Sequence, residues 1–230
     1  MTENLSEIAV TLSVWVLPVL LAVTLHEAAH GYAAWLCGDD TAQSRGRVTL
    51  NPLAHIDRFG TILLPGLLLA VQAPFLFGYA KPVPINVARL RNPRRDMVVV
   101  AAAGPGANIV LALAAALLLH VLAWVPEAAT SWVGQNLLNL FRLNLILAVF
   151  NLLPIPPLDG GRILTSLLPY PAAIRLAAME RYGLVLLVGL IFLLPFVGNQ
   201  LGFQLNVFAW LVGMPAEWLA RLVLAVAGHL

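Results

Sequence analysis

The sequence predicts an all-α, polytopic membrane protein with five to six transmembrane helices, and three observations lead there. Hydrophobic residues make up 60% of the 230 residues and charged residues only 10%, where a soluble domain carries about 25% charged residues. The mean hydropathy is +0.88. The charge deficit is also concentrated, because 8–25, 97–126, 143–158 and 183–216 contain no Asp, Glu, Lys or Arg. A bilayer crossing needs about 20 mostly apolar residues, and in lipid a helix satisfies its own backbone polar groups.

The elements follow in order within one integral-membrane domain, 1–230, with a core over about 8–168 and C-terminal helices over 177–230. A first span covers about 8–36. The start MTENLSE is acidic and no small-residue cleavage pattern follows, so this segment is expected to be retained. A polar stretch, 38–60, holds the turn signal Asn51-Pro52. Next, 61–77 is apolar but interrupted by Pro65, Gly66 and Pro74, and 78–96 is rich in Pro and Arg. Pro82 and Pro84 oppose helix and favour extended backbone. Further spans are expected near 97–124, 136–153, 183–197 and 204–226, the last broken at Pro215.

Loop charge sets orientation. Segment 78–96 carries Lys81, Arg89, Arg91, Arg94 and Arg95, and 154–182 carries Arg162, Arg175 and Arg181, whereas 125–135 has no Lys or Arg. Positive loops stay cytoplasmic, which places both basic segments on that side, and 38–60 with Arg45, Arg47 and Arg58 beside them. The piece 61–77 must then dip in and return, giving a re-entrant or extended segment near 61–86. The net charge of +2 belongs to these loops and does not indicate nucleic acid. The single cysteine, Cys37, excludes an intrachain disulfide and a cysteine metal cluster.

Residues 26–30 read HEAAH. On a helix His26 and His30 stand one turn apart on one face, so both imidazoles can reach one metal ion, and Glu27 beside them can accept a proton from water. The alternative is a hydrogen-bonded cluster that only packs helices, but ionisable groups inside a span are costly and usually functional. A catalytic zinc takes three protein ligands. His55, His120 and His229 lie in a loop, near a helix end and at the C-terminus. Asp159, in NLLPIPPLDGGR at 151–162, is the better third ligand, against the plainer reading that it caps a helix starting near Gly161. His26 and His30 lie toward the end of one span and Asp159 just past the end of another. They can share an ion only if the two spans run in the same direction, which requires the N-terminus outside.

HEAAHGYAAWLCGD, NPLAHIDRFGTILLPG, FGYAKPVPIN, RNPRRDMVVVAAAGPGANI and FNLLPIPPLDGGRIL together resemble the site-2 protease family of intramembrane zinc metallopeptidases (peptidase family M50), most closely its compact bacterial branch without PDZ or CBS domains. The resemblance covers about 20–168. It implies one zinc ion (Zn2+) held by His26, His30 and Asp159, catalysis by Glu27, and a substrate-backbone or oxyanion contact from Asn151. It implies an extended loop at 78–86 that receives an unwound substrate strand by β-augmentation. The activity implied is endoproteolysis of transmembrane protein substrates in a bilayer, in a bacterial inner membrane with the site toward the cytoplasm.

The competing function is a metal-ion or small-solute transporter. It has no need of a base between the histidines, and its paired repeats are absent. Other features are less specific. Gly104 is expected to permit close helix packing, and Asn108 either to bridge helices or to face the site. Arg142 is expected to line a polar cavity, snorkel, or pair with Glu127, and His55 to lie on the surface near the entrance. Trp124, Trp132 and Trp218 read as interfacial anchors.

Overall fold

The computed structural model describes residues 2–63, 67, 80–203 and 205–230. The described residues form helices and contain no strand. Among the described residues, five helices are long and apolar enough to cross a membrane, over Ala9–Leu36, Pro93–Trp124, Glu127–Asn151, Glu180–Gly198 and Ala209–Val226. The re-entrant element expected over 61–77 falls, apart from 61–63 and 67, outside the described residues. Of the segment 78–86 expected to be extended, 80–86 is described and forms no helix, with Asn86 in the extended region.

Helix α1 (Thr2–Leu36) ends where Gly38 turns at φ +108°. The amide of Asp39 then reaches back to the Ala34 carbonyl at 2.9 Å, a helix end that favours glycine. Helix α2 (Pro93–Leu119) starts with Pro93 in its first turn, and Asp96 accepts from the Asn92 amide at 2.7 Å. Helix α3 (Glu127–Asn151) follows Pro126. Short helices α4 (Asp159–Leu167) and α5 (Tyr170–Ala178) come next, then α6 (Glu180–Val188) and, last, α7 (Met214–Val226). Arg94 caps the far end of α4 by donating to the carbonyls of Ser166 and Leu168, the placement a cation prefers at a helix C-terminus.

Helix α2 packs against both α1 and α3. Its buried face is Ala101, Gly104, Asn108, Ala112, Ala115 and Ala116, whereas Val99, Val110, Leu117 and Leu118 point outward. Lipid is as apolar as leucine, so helices associate through small residues that bring backbones close and through buried amides. The Ala112–Ala116 surface meets Leu140, Phe141 and Leu145 of α3 and Val223 and Ala227 of the C-terminal helix.

Helices α1 and α3 run in the same direction, as a site shared by their ends requires. Trp132 Nε1 donates to Ser13 Oγ at 2.9 Å and Asn139 Nδ2 to the Val14 carbonyl at 3.0 Å near one end, and Asp159 meets His26 and His30 near the other. Helix α7 runs parallel to α2: His120 Nε2 donates to the Ala227 carbonyl at 2.7 Å and His229 Nε2 to the Ala116 carbonyl at 2.8 Å. Their rings stack 4.0 Å apart. Strict alternation through five crossings would make α7 antiparallel to α2, so it is broken between Gly183 and Ala209. In a Cys37→Ser background, a membrane-impermeant maleimide is therefore expected to label Ser131→Cys and Leu230→Cys from one side and Arg91→Cys from the other. Labelling of 131 and 230 from opposite sides would refute the arrangement.

Candidate metal centre

The last turns of α1 place His26 and His30 on one face. His26 Nε2 and His30 Nε2 lie 3.1 Å apart, and Asp159 Oδ2 lies 3.3 and 3.2 Å from them. All three residues are buried. The spacing predicted from HEAAH and from the run at 151–162 is thus brought together, and Asp159 opens α4 two residues before Gly161.

Their hydrogen bonds settle which ring nitrogens face inward. His26 Nδ1 lies 2.6 Å from Asn108 Oδ1, and His30 Nδ1 lies 2.7 Å from the Val100 carbonyl. Both partners only accept, so each Nδ1 carries the proton and each Nε2 presents a lone pair. Asp159 Oδ2 is buried without a hydrogen-bond donor. Three acceptors within 3.3 Å of one another repel unless a cation lies between them. Ligands about 2.0–2.1 Å from a tetrahedral ion stand about 3.3 Å apart, which is the separation here. The donor set and its spacing fit a zinc-type centre.

Glu27, half-buried, lines the same cavity of about 130 Å³, as do Asn151 and Arg162. Its Oε2 accepts from the Val83 amide at 2.8 Å, so the non-helical stretch 80–86 lies directly over the base. Pro82, Val83 and Ile85 form that wall. Asn151 reaches the cavity, but its Nδ2 donates to the Leu147 carbonyl of its own helix at 3.0 Å.

The stretch 80–91 is held to the turn Pro52–His55 and to the residues just after α1 by a chain of bonds. Lys81 N donates to the His55 carbonyl at 2.9 Å, and Arg91 N to the Cys37 carbonyl at 3.0 Å. Asp39, fully buried, accepts from Asn86 N at 2.6 Å and from both the amide and the hydroxyl of Thr41. Burial alone would raise its carboxyl. The Thr41 hydroxyl, the two amides and the Arg89 guanidinium outweigh that and hold it below the usual carboxylate range.

Several expectations change. His55 is buried, with Nε2 donating to the Thr49 carbonyl at 3.1 Å, so it supports the polar segment instead of lying on the surface. Arg142 is exposed on α3 and is not among the residues that line the cavity beside Glu27. Gly104 does more than permit helix contact: a Cβ there would run into His30 Nε2 and His26 Cε1, so the missing side chain is room for the imidazoles. Val100 carried no sequence signal for the site, and Val83 and Arg162 are not singled out within the stretches 78–86 and 151–162 that the resemblance places there. Gly104 and Asn108 did, as small and polar residues one turn apart on a single helical face.

The family model for peptidase family M50 matches residues 126–196. The chain is 40% identical over 186 residues to the Bacillus subtilis protein named "Putative zinc metalloprotease YwhC", covering 79% of this chain and 79% of that one. It is 34% identical over 194 residues to the Mycobacterium tuberculosis H37Rv protein named "Putative zinc metalloprotease Rip2", covering 84% of this chain and 70% of that one. A Mycolicibacterium smegmatis protein of the same name is 33% identical over 172 residues, 75% of this chain and 64% of that one. No solved structure matches. The relatives, the family match and the paired histidines of an apolar helix agree: the chain belongs to peptidase family M50 and is a multi-pass, all-helical metallopeptidase.

Proposed function

We propose that this protein is an intramembrane zinc endopeptidase that hydrolyses peptide bonds in or near transmembrane segments of other membrane proteins, in a bacterial inner membrane with its site toward the cytoplasm. The observation that carries the reading is the convergence of His26, His30 and Asp159 within 3.3 Å beside a carboxylate, Glu27, in one cavity. The relatives' names support zinc as the ion.

Bound there, zinc would polarise a water molecule and the scissile carbonyl. The chain supplies the rest. Glu27, one oxygen held by the Val83 amide, accepts the water proton with the other. As the new C–O bond forms and the C–N bond breaks, it returns that proton to the leaving amine. Asn151 turns its Nδ2 from the Leu147 carbonyl to the oxygen on which negative charge develops. The non-helical backbone at 80–86 offers an edge along which an unwound substrate strand can lie. Unwinding is needed because a helix engages its own carbonyls in hydrogen bonds.

Purified protein is expected to contain one zinc ion per chain and to cut a transmembrane peptide. Cleavage should stop on chelation and return with added zinc. Cleavage at full rate by zinc-free protein would sink the proposal.

A further inference from the structure

Behind His26, outside the lining of the cavity, lies a second polar element. Asn108 of α2 and Asn144 of α3 are both fully buried, at 0% exposure, in the middle of the helix bundle. Asn144 Nδ2 donates to the Leu140 carbonyl at 2.7 Å. That backbone group can only accept, so it fixes which way the Asn144 amide points and turns Oδ1 toward α2. Asn108 Nδ2 donates to this Oδ1 at 2.7 Å and toward the Ala22 carbonyl at 3.3 Å. Asn108 Oδ1 is thereby aimed at His26 Nδ1, 2.6 Å away. Flipping the Asn108 amide would set its oxygen against Asn144 Oδ1 and the Ala22 carbonyl, and its NH2 against the protonated Nδ1 of His26.

We propose that Asn144, acting through Asn108, is a positioning residue for His26, the two amides forming a directional relay that holds the imidazole in the Nδ1-protonated tautomer with Nε2 aimed at the metal. The inference rests on the reading of His26, His30 and Asp159 as a metal centre. Two backbone carbonyls anchor the relay's direction, and each amide has one orientation that satisfies its neighbours. Removing a partner that orients a ligating histidine typically costs about 10–100-fold in metal affinity. The arrangement also ties the tautomer to helix packing, since α1, α2 and α3 each contribute one member. His30 differs, because its Nδ1 is held by a single backbone carbonyl, Val100.

The test uses the full-length protein in detergent. Zinc affinity is read by competition with a chromogenic chelator, and ligand geometry by the visible d–d spectrum of the cobalt-substituted protein. Asn144→Leu and Asn108→Leu are expected to bind zinc about 10–100-fold more weakly than wild type and to shift the cobalt bands. Asn108→Asp keeps an acceptor for His26 Nδ1–H but loses the donor to Asn144 Oδ1 and the Ala22 carbonyl. It is therefore expected to bind zinc more tightly than Asn108→Leu and more weakly than wild type. Affinity equal to wild type would show that the contact with Asn144 is not needed and overturns the relay. An Asn144→Leu protein that melts earlier but keeps wild-type zinc affinity and an unchanged cobalt spectrum makes Asn144 a packing residue only and overturns the proposal. If Asn144→Leu fails to fold, the Asn108 pair decides: equal affinity in Asn108→Leu and Asn108→Asp overturns it. Wild-type protein that binds no zinc sinks the metal reading itself, whereas one tightly bound zinc in wild type and both Leu variants sinks the relay alone.

Discussion

Glu27→Gln is expected to abolish cleavage of a transmembrane peptide while leaving one zinc per chain in place. The reason is chemical rather than steric. Glutamine matches glutamate in size and can still accept from the Val83 amide, whose bond to Glu27 Oε2 is 2.8 Å. It cannot take a proton from water. A positioned general base contributes typically 10²–10⁴-fold to rate, so the turnover number should fall at least about 100-fold. None of the three ligand atoms belongs to Glu27, so metal content and thermal stability should be close to wild type. The check is a paired measurement of zinc by mass spectrometry and of peptide cleavage on the same preparation. Retained cleavage in the glutamine variant removes Glu27 from the chemistry, whatever the metal content.

Gly160→Ala is expected to cost at least about 100-fold in activity although residue 160 is not a ligand. Asp159, Gly160 and Gly161 are buried in the first turn of α4. A Cβ on Gly160 would overlap the carbonyls of Leu152 and Leu153, and one on Gly161 would overlap the backbone at Ile155 and Pro156. Backbone cannot swing aside as a side chain does, so α4 must move and carry Asp159 with it. Overpacking of this kind costs about 1–3 kcal/mol in stability, which a folded protein commonly survives. Misplacing a catalytic group by about 1 Å can cost 10²-fold in rate. The variant should therefore be recoverable and folded, with weakened zinc binding in a chelator competition. Gly106→Ala is the control, because a Cβ there meets nothing within 4 Å. Equal zinc affinity in Gly160→Ala and wild type would show that the glycine pair does not position the aspartate.

The bacterial inner membrane, the cytoplasmic side of the site and the zinc identity are proposals that rest on loop charge, the resemblance and the relatives. The direction of the helices is different, because it comes from contacts. Helices α1 and α3 run the same way, as the sharing of one site by His30 and Asp159 demands. Helix α7 lies beside α2 through His120 and His229, and hydropathy could not show that. A count of apolar segments carries no information about which neighbours they choose.

HEAAH placed two imidazoles on one face, because a helix repeats every 3.6 residues and that rule is local. The prolines at 82 and 84 implied extended backbone for an equally local reason, the fixed φ of the ring. Asp159 stood out as the candidate third ligand because it is the one acidic residue between Glu127 and Glu180 in an apolar chain. What only the tertiary structure decided concerns residues far apart in the chain. Asn108 sits 82 positions from His26 and bonds to it. Val83, 56 positions from Glu27, holds its carboxylate. His55 became a buried support and Gly104 became room for two rings. These roles depend on how one helix face meets another. Small residues and amides look alike in sequence whether they meet lipid, a neighbouring helix or a metal ligand. The motif determined the chemistry available at the end of α1, and the packing of α2 and α3 determined which nitrogens present it.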